Sequence, residues 1–194
     1  TNTAHYVVDH PERVLSYILI ATYLQGELGV DPDGSKRAAL GGLQLEPWNG
    51  TAQGMRDLMS KIIMQPSGIT DDLCDMRAYM GNLQADSYKA FQASRSKIME
   101  NPSLKQKWML KGRLDQLEIP AIYLYGKEDV LIPVSAGYEQ EKLLPNIKFY
   151  FPEDTGHQGQ TDTPDLHGRV YAEFFKTGKL SSALEKEAGV GAGA

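Results

Sequence analysis

Two side chains in this sequence have the residue types and the placement of a proton-transfer pair. Asp129 stands three residues beyond the β-rich run "AIYLYG", and His157 stands six residues beyond a second run, "KFYF", in the Gly-flanked loop "EDTGHQGQTDTPD". In an open parallel sheet, ligands bind beyond the carboxyl ends of the strands, so both residues fall in loops where such a sheet keeps its chemistry. An acid after one strand and a histidine after the next is the back half of a Ser–His–Asp triad in the order Ser, Asp, His. In such a triad the acid fixes the imidazole tautomer and stabilises the imidazolium. On spacing alone, an acid and a histidine that are merely solvated in their loops remain the alternative.

The elements that must position this pair follow from periodicity. "AHYVVDH" puts Ala4, Val7 and Val8 on one helical face, and Pro11 closes the segment. "RVLSYILIATYL" is a nearly uninterrupted apolar run of strand length, as expected of a parallel strand covered on both faces. Scattered Gly, Pro and Asp make residues 25–54 irregular, with room for one short helix. From Thr51 to about Lys111 the pattern is helical: "TAQGMRDLMSKIIM", "TDDLCDMRAYMGNL" with its Thr-Asp-Asp start, and "DSYKAFQASRSKIM". After Lys111, "AIYLYG" reads as a strand, "VSAGYEQEKLLP" as a helix, "IKFYF" as a strand, and "DLHGRVYAEFFKTG" as an amphipathic helix ended by Gly178. This alternation is that of an α/β protein with a parallel sheet, interrupted by an all-helical insertion.

Bulk composition removes several function classes. A net charge of −5 with no Lys/Arg stripe argues against a nucleic-acid partner. No apolar run is long enough to span a membrane and the N-terminus lacks a signal-peptide pattern, which leaves the cytoplasm as the expected location. The single cysteine, Cys74, allows no intrachain disulfide and fits a reducing compartment. The four histidines show no metal-ligand spacing, so neither a metal nor an organic cofactor is expected.

Three stretches carry a family resemblance. "IPAIYLYGKEDVLIPVSAGYE" resembles the α/β-hydrolase segment in which a strand ends in Gly and an Asp follows three residues on. "FYFPEDTGHQGQTDTPDLHGRVYAEFF" is similar to the last strand, histidine loop and final helix of that fold. "HPERVLSYILI" resembles the helix end and strand that follow the nucleophile. Within the superfamily the chain resembles the meta-cleavage-product hydrolases, which cleave a carbon–carbon bond in ring-opened diketones. The resemblance implies the C-terminal part of an α/β-hydrolase: a core helix and strand in residues 1–24, a mainly helical cap in 25–113, a core with the acid and histidine loops in 114–178, and a tail in 179–194. It also implies a substrate-carboxylate site at Arg77, whose alternative is a surface helix arginine. Gln158 stands where most of that family has Trp, replacing an apolar pocket wall with a hydrogen-bonding group and admitting an ester or lactone substrate.

The nucleophile is the piece not found. No G-x-S-x-G turn occurs in the 194 residues, and counting back from Pro11 as in the relatives puts the Ser before Thr1. The expectation is a companion polypeptide that carries the N-terminal half of the fold and the nucleophile, without which the strands present cannot cover their own apolar faces. A small organic molecule is the expected substrate, and a homodimer is compatible with the sequence. Three residues compete as internal substitutes. Thr1 would act as an N-terminal nucleophile, Cys74 is better explained as a buried thiol, and Ser135 as the cap of the helix that follows it. An Asp nucleophile, as in dehalogenases and epoxide hydrolases, and a non-catalytic ligand-binding protein are the other readings.

Overall fold

A computed structural model of the chain describes residues 2–22, 24 and 41–191. Thr1 and the 25–40 part of the irregular stretch lie outside the described residues. Three short strands, β1 (Tyr17–Ile20), β2 (Ala121–Leu124) and β3 (Lys148–Tyr150), form one parallel sheet in the order β1-β2-β3. Tyr17 lies opposite Ala121 and Ile122 opposite Lys148, so the three carboxyl ends open toward the same side.

Helices cover both faces, as a parallel sheet requires. On one face, Tyr17, Leu19, Tyr123 and Phe149 pack with Ala4 and Val7 of α1 (Asn2–Asp9) and Ala136 of α6 (Val134–Leu143). On the other, Ile122, Leu124 and Tyr150 meet Val170 and Phe174 of α8 (Pro164–Thr177). All four residues of β2 are buried, whereas Ile18 and Ile20 of β1 are only half-buried. Among the described residues β1 pairs with a strand on one side alone.

Between β1 and β2 the described residues contain helices and no strand: α2 (Ala52–Met59), α3 (Asp71–Leu83), α4 (Ala85–Glu100) and α5 (Pro102–Trp108). Their starts are written in capping side chains. Thr51 Oγ1 accepts the Gly54 N–H at 3.0 Å, Thr70 Oγ1 the Leu73 N–H at 3.2 Å, and Asn101 Oδ1 those of Ser103 and Leu104 at 3.0 and 3.2 Å. The Asn101-Pro102 start of α5 was not among the expected helices. None of the described helices is long and apolar enough to cross a membrane.

Two corrections concern chain segments. Residues 179–194, expected to be a tail, contain α9 (Ser182–Ala188), which buries Leu184 and Ala188 beside Leu180 against the α8 face of the sheet. Beyond it the Phe151 N–H donates to Gly189 O at 2.7 Å and the Gly191 N–H to Phe149 O at 3.0 Å, so a glycine-rich stretch with little side chain to pack is held by backbone pairing along β3. Ser135 does not cap α6: the cap position is Pro133, with no side-chain bond, and Ser135 lies exposed within the first turn.

Candidate active site

The loops after β2 and β3 are laced together by main-chain bonds. The Tyr125 N–H donates to Tyr150 O at 2.9 Å, that of Lys127 to Pro152 O at 3.1 Å, and that of Glu128 to Thr155 O at 3.0 Å. Gly126 is needed at this crossing, because a Cβ there would stand 2.2 Å from Thr155 O and 2.5 Å from Gly156 O. The Glu128 carboxylate adds a return bond, accepting the Thr155 N–H at 3.0 Å.

This crossing brings the two expected catalytic residues together. His157 Nδ1 lies 2.8 Å from Asp129 Oδ2. The other oxygen, Oδ1, accepts the Leu131 and Ile132 N–H groups at 2.8 and 2.9 Å, which locks the carboxyl plane. The Asp129 side chain is closed to solvent, while 21% of the His157 side chain remains accessible. An ionised carboxylate only accepts hydrogen bonds, so a proton on Nδ1 completes this bond, and in a neutral imidazole so bonded Nε2 is the acceptor.

The other two expected site residues meet beside it. Arg77, in the second turn of α3, donates from Nη2 to Gln158 Oε1 at 2.8 Å, so the helical segment reaches the residue next to the histidine. Arg77 is thus half-buried and bonded to the residue next to His157. Cys74 is buried in the core cluster. His167 is also buried, with Nδ1 3.0 Å from Thr163 Oγ1, and burial pushes its pKa below the ordinary value while its hydrogen bond to Thr163 opposes the shift. Among the described residues, no group of three or more His, Cys, Asp or Glu side chains could hold a metal ion.

Sequence reasoning missed Asp162. It ends the short α7 (Gly159–Asp162), and its carboxylate accepts the Met64 and Gln65 N–H groups on Oδ1 at 2.7 and 3.0 Å and the Gly156 N–H on Oδ2 at 2.8 Å. In sequence, the following Thr163-Pro164 makes it look like an ordinary helix-start residue.

The chain is 25% identical over 175 residues to a 2-hydroxy-6-oxononadienedioate/2-hydroxy-6-oxononatrienedioate hydrolase of Cupriavidus pinatubonensis, a match covering 88% of this chain and 56% of the relative. A shorter stretch of 69 residues is 32% identical to a pimeloyl-[acyl-carrier protein] methyl ester esterase of Legionella pneumophila, covering 36% of this chain and 29% of that protein. Among solved structures, the meta-cleavage product hydrolase of Pseudomonas fluorescens IP01 superposes with a TM-score of 0.58 at 19% identity, covering 91% of this chain and 61% of the other. No protein-family model matches. The chain has the α/β-hydrolase fold. Within that fold its sequence resembles the hydrolases of meta-cleavage products, and it spans a little over half the length of the relative it matches.

Proposed function

We propose that this chain is the base-bearing portion of a capped Ser–His–Asp hydrolase that acts on a small organic substrate. The observation that carries the reading is the 2.8 Å bond from His157 Nδ1 to a carboxylate closed to solvent, which leaves Nε2 as the base. The nucleophile is a Ser supplied by a companion N-terminal segment, since the 194 residues hold no G-x-S-x-G turn. The backbone of Ile18 and Ile20 on the unpaired side of β1 is where that segment would add to the sheet. Thr1, an Asp nucleophile and a non-catalytic protein are the readings it displaces.

In this reading Nε2 takes the proton of the Ser hydroxyl, or of water, as the new bond to the substrate carbonyl forms. It later returns the proton to the leaving group, while Asp129 stabilises the imidazolium in between. The helical segment acts as a cap, and Arg77 binds a carboxylate of the substrate through its guanidinium fork. The substrate is a ring-fission-type diketone cleaved at a carbon–carbon bond. An ester or lactone is the second reading, favoured by Gln158, whose amide lines the site with a hydrogen-bonding group. A cytoplasmic location accompanies either.

In the complete protein, His157→Ala should reduce turnover of a p-nitrophenyl ester and of a 2-hydroxy-6-oxo-dienoate by roughly 10³-fold or more. Activity retained at the wild-type level on either compound refutes the base assignment.

A further inference from the structure

We infer that Asp162 is a positioning residue: its carboxylate joins the loop that carries His157 to the turn following α2, so the placement of the helical segment and of the base are set by one side chain. The inference rests on the hydrolase reading above.

The carboxylate is 6% exposed as a residue, and it spends its oxygens on backbone from two regions far apart in sequence. Oδ1 takes the Met64 and Gln65 N–H groups, from the turn between α2 and α3, at 2.7 and 3.0 Å. Oδ2 takes the Gly156 N–H, one residue before His157, at 2.8 Å. Among the described residues no salt bridge reaches it, and its three hydrogen bonds all come from peptide N–H groups. The fit is close: a Cβ on Gly156 would lie 3.1 Å from Asp162 Oδ2 and 3.1 Å from Ile62 O. The histidine loop therefore cannot move away from the helical segment without stranding a buried N–H. Asp129 fixes the direction of the imidazole, and Asp162 fixes the backbone from which the imidazole hangs. The helical segment meets the same loop a second time through Arg77 and Gln158, so base and substrate-binding side chain share one reference frame.

The chemistry of an amide makes the test specific. In Asp162→Asn the carbonyl oxygen still serves Met64 and Gln65, but the amide nitrogen then faces the Gly156 N–H, donor against donor. With kcat expressed per folded molecule, Asp162→Asn in the complete protein should lower kcat on a p-nitrophenyl ester about tenfold to a hundredfold, with KM within about twofold. Asp162→Glu, which keeps the carboxylate, should recover some of the loss. Gly156→Ala, which leaves the carboxylate and crowds its contact, should show the same kcat loss and decides the matter if Asp162→Asn does not fold. His157→Ala is run alongside. Wild-type kcat per folded molecule in Asp162→Asn or Gly156→Ala, a loss confined to KM, or no advantage of Glu over Asn overturns the positioning role while His157→Ala is inactive. An active His157→Ala instead overturns the hydrolase reading, and the inference with it.

Discussion

Where the loops after β2 and β3 cross, backbone lies on backbone: Gly126 has room for nothing larger than hydrogen, and the Asp129 carboxyl is closed to solvent. The helical segment a few residues away is built differently. Along α3 and α4, Met76, Tyr79, Met80, Leu83 and Tyr88 are all more than 40% exposed, and the contact that brings Arg77 to the site is one side-chain hydrogen bond. The first region encodes its geometry in main-chain bonds and excluded volume, which few substitutions can alter quietly. The second encodes its geometry in side chains and helix caps, which can change without moving the sheet. Acid–base chemistry needs the first kind of construction, because a proton-transfer distance must be held closely. A surface that encloses a substrate can use the second, because its contacts define shape and charge.

The sharpest way to break this contrast is Asp129→Asn. Asparagine keeps a carbonyl oxygen for the Leu131 and Ile132 N–H groups but presents an amide donor to His157 Nδ1, which forces the proton onto Nε2 and removes the base. On the proposed mechanism kcat should fall roughly 10⁴-fold, with the melting temperature nearly unchanged. Asp129→Ala should lose activity equally and stability as well, by about 2 kcal/mol, because two buried N–H groups lose their acceptor. Thermal melts of the two variants beside steady-state kinetics separate these roles. Equal stability in both would mean that the turn does not depend on Oδ1.

A second pair of substitutions compares the regions through their glycines. Gly126→Ala must force the two crossing loops apart, since the new Cβ would lie 2.2 Å from Thr155 O, and should cost about 3 kcal/mol. Gly112, at the exit of the helical segment, has a φ of +79° and nothing within 4 Å of a built Cβ. Gly112→Ala should cost only the left-handed strain, about 1 kcal/mol. Denaturant melts giving equal losses would remove the distinction between excluded volume and conformation.

The same contrast explains what could be read from the sequence. Asp129 and His157 were legible because each follows a β-rich run at short range, and the stop at Gly178 because its φ of +75° is one that glycine adopts readily. The pairing of Arg77 with Gln158 joins residues 81 positions apart and depends on how α3 lies, which no local pattern records. Asp162 was hidden for the same reason, since two of its three donors belong to a distant turn. Helix α9 was missed because its buried side is small, Leu184 and Ala188, and its neighbour Val190 is held by pairing with Tyr150 rather than by its side chain. Ser135 was misassigned because helix α6 starts at Val134 after Pro133, one residue before the serine that a cap rule selects.

On the proposed reading of the helical segment as a cap, Arg77 tests whether that segment contributes charge as well as enclosure. Arg77→Ala should raise KM about tenfold for a substrate bearing a carboxylate, the worth of a charge-assisted hydrogen bond. A neutral ester should show little change. Equal effects on both substrates would reduce Arg77 to a strut for Gln158.

The smallest effect expected is on stability alone and comes from His167, buried in α8. Burial pushes its pKa below the ordinary value of 6.5, against the smaller opposing influences of its Thr163 hydrogen bond and the Asp162 charge. The folded state then binds this proton more weakly than the unfolded chain does, so below 6.5 the unfolded state holds more protons and stability falls as pH falls. The contribution is intact above the unfolded value, declines through the acid range, and levels off once pH is below the folded-state value. His167→Gln removes the titrating group but can still donate to Thr163 O. Comparing melting temperatures at pH 8 and pH 5, the drop on acidification should be smaller in His167→Gln than in the wild type. Acid effects from groups that do not interact with His167 are common to both proteins and cancel in that comparison. Parallel pH dependences would mean that the folded protein accepts the His167 proton as readily as the unfolded chain.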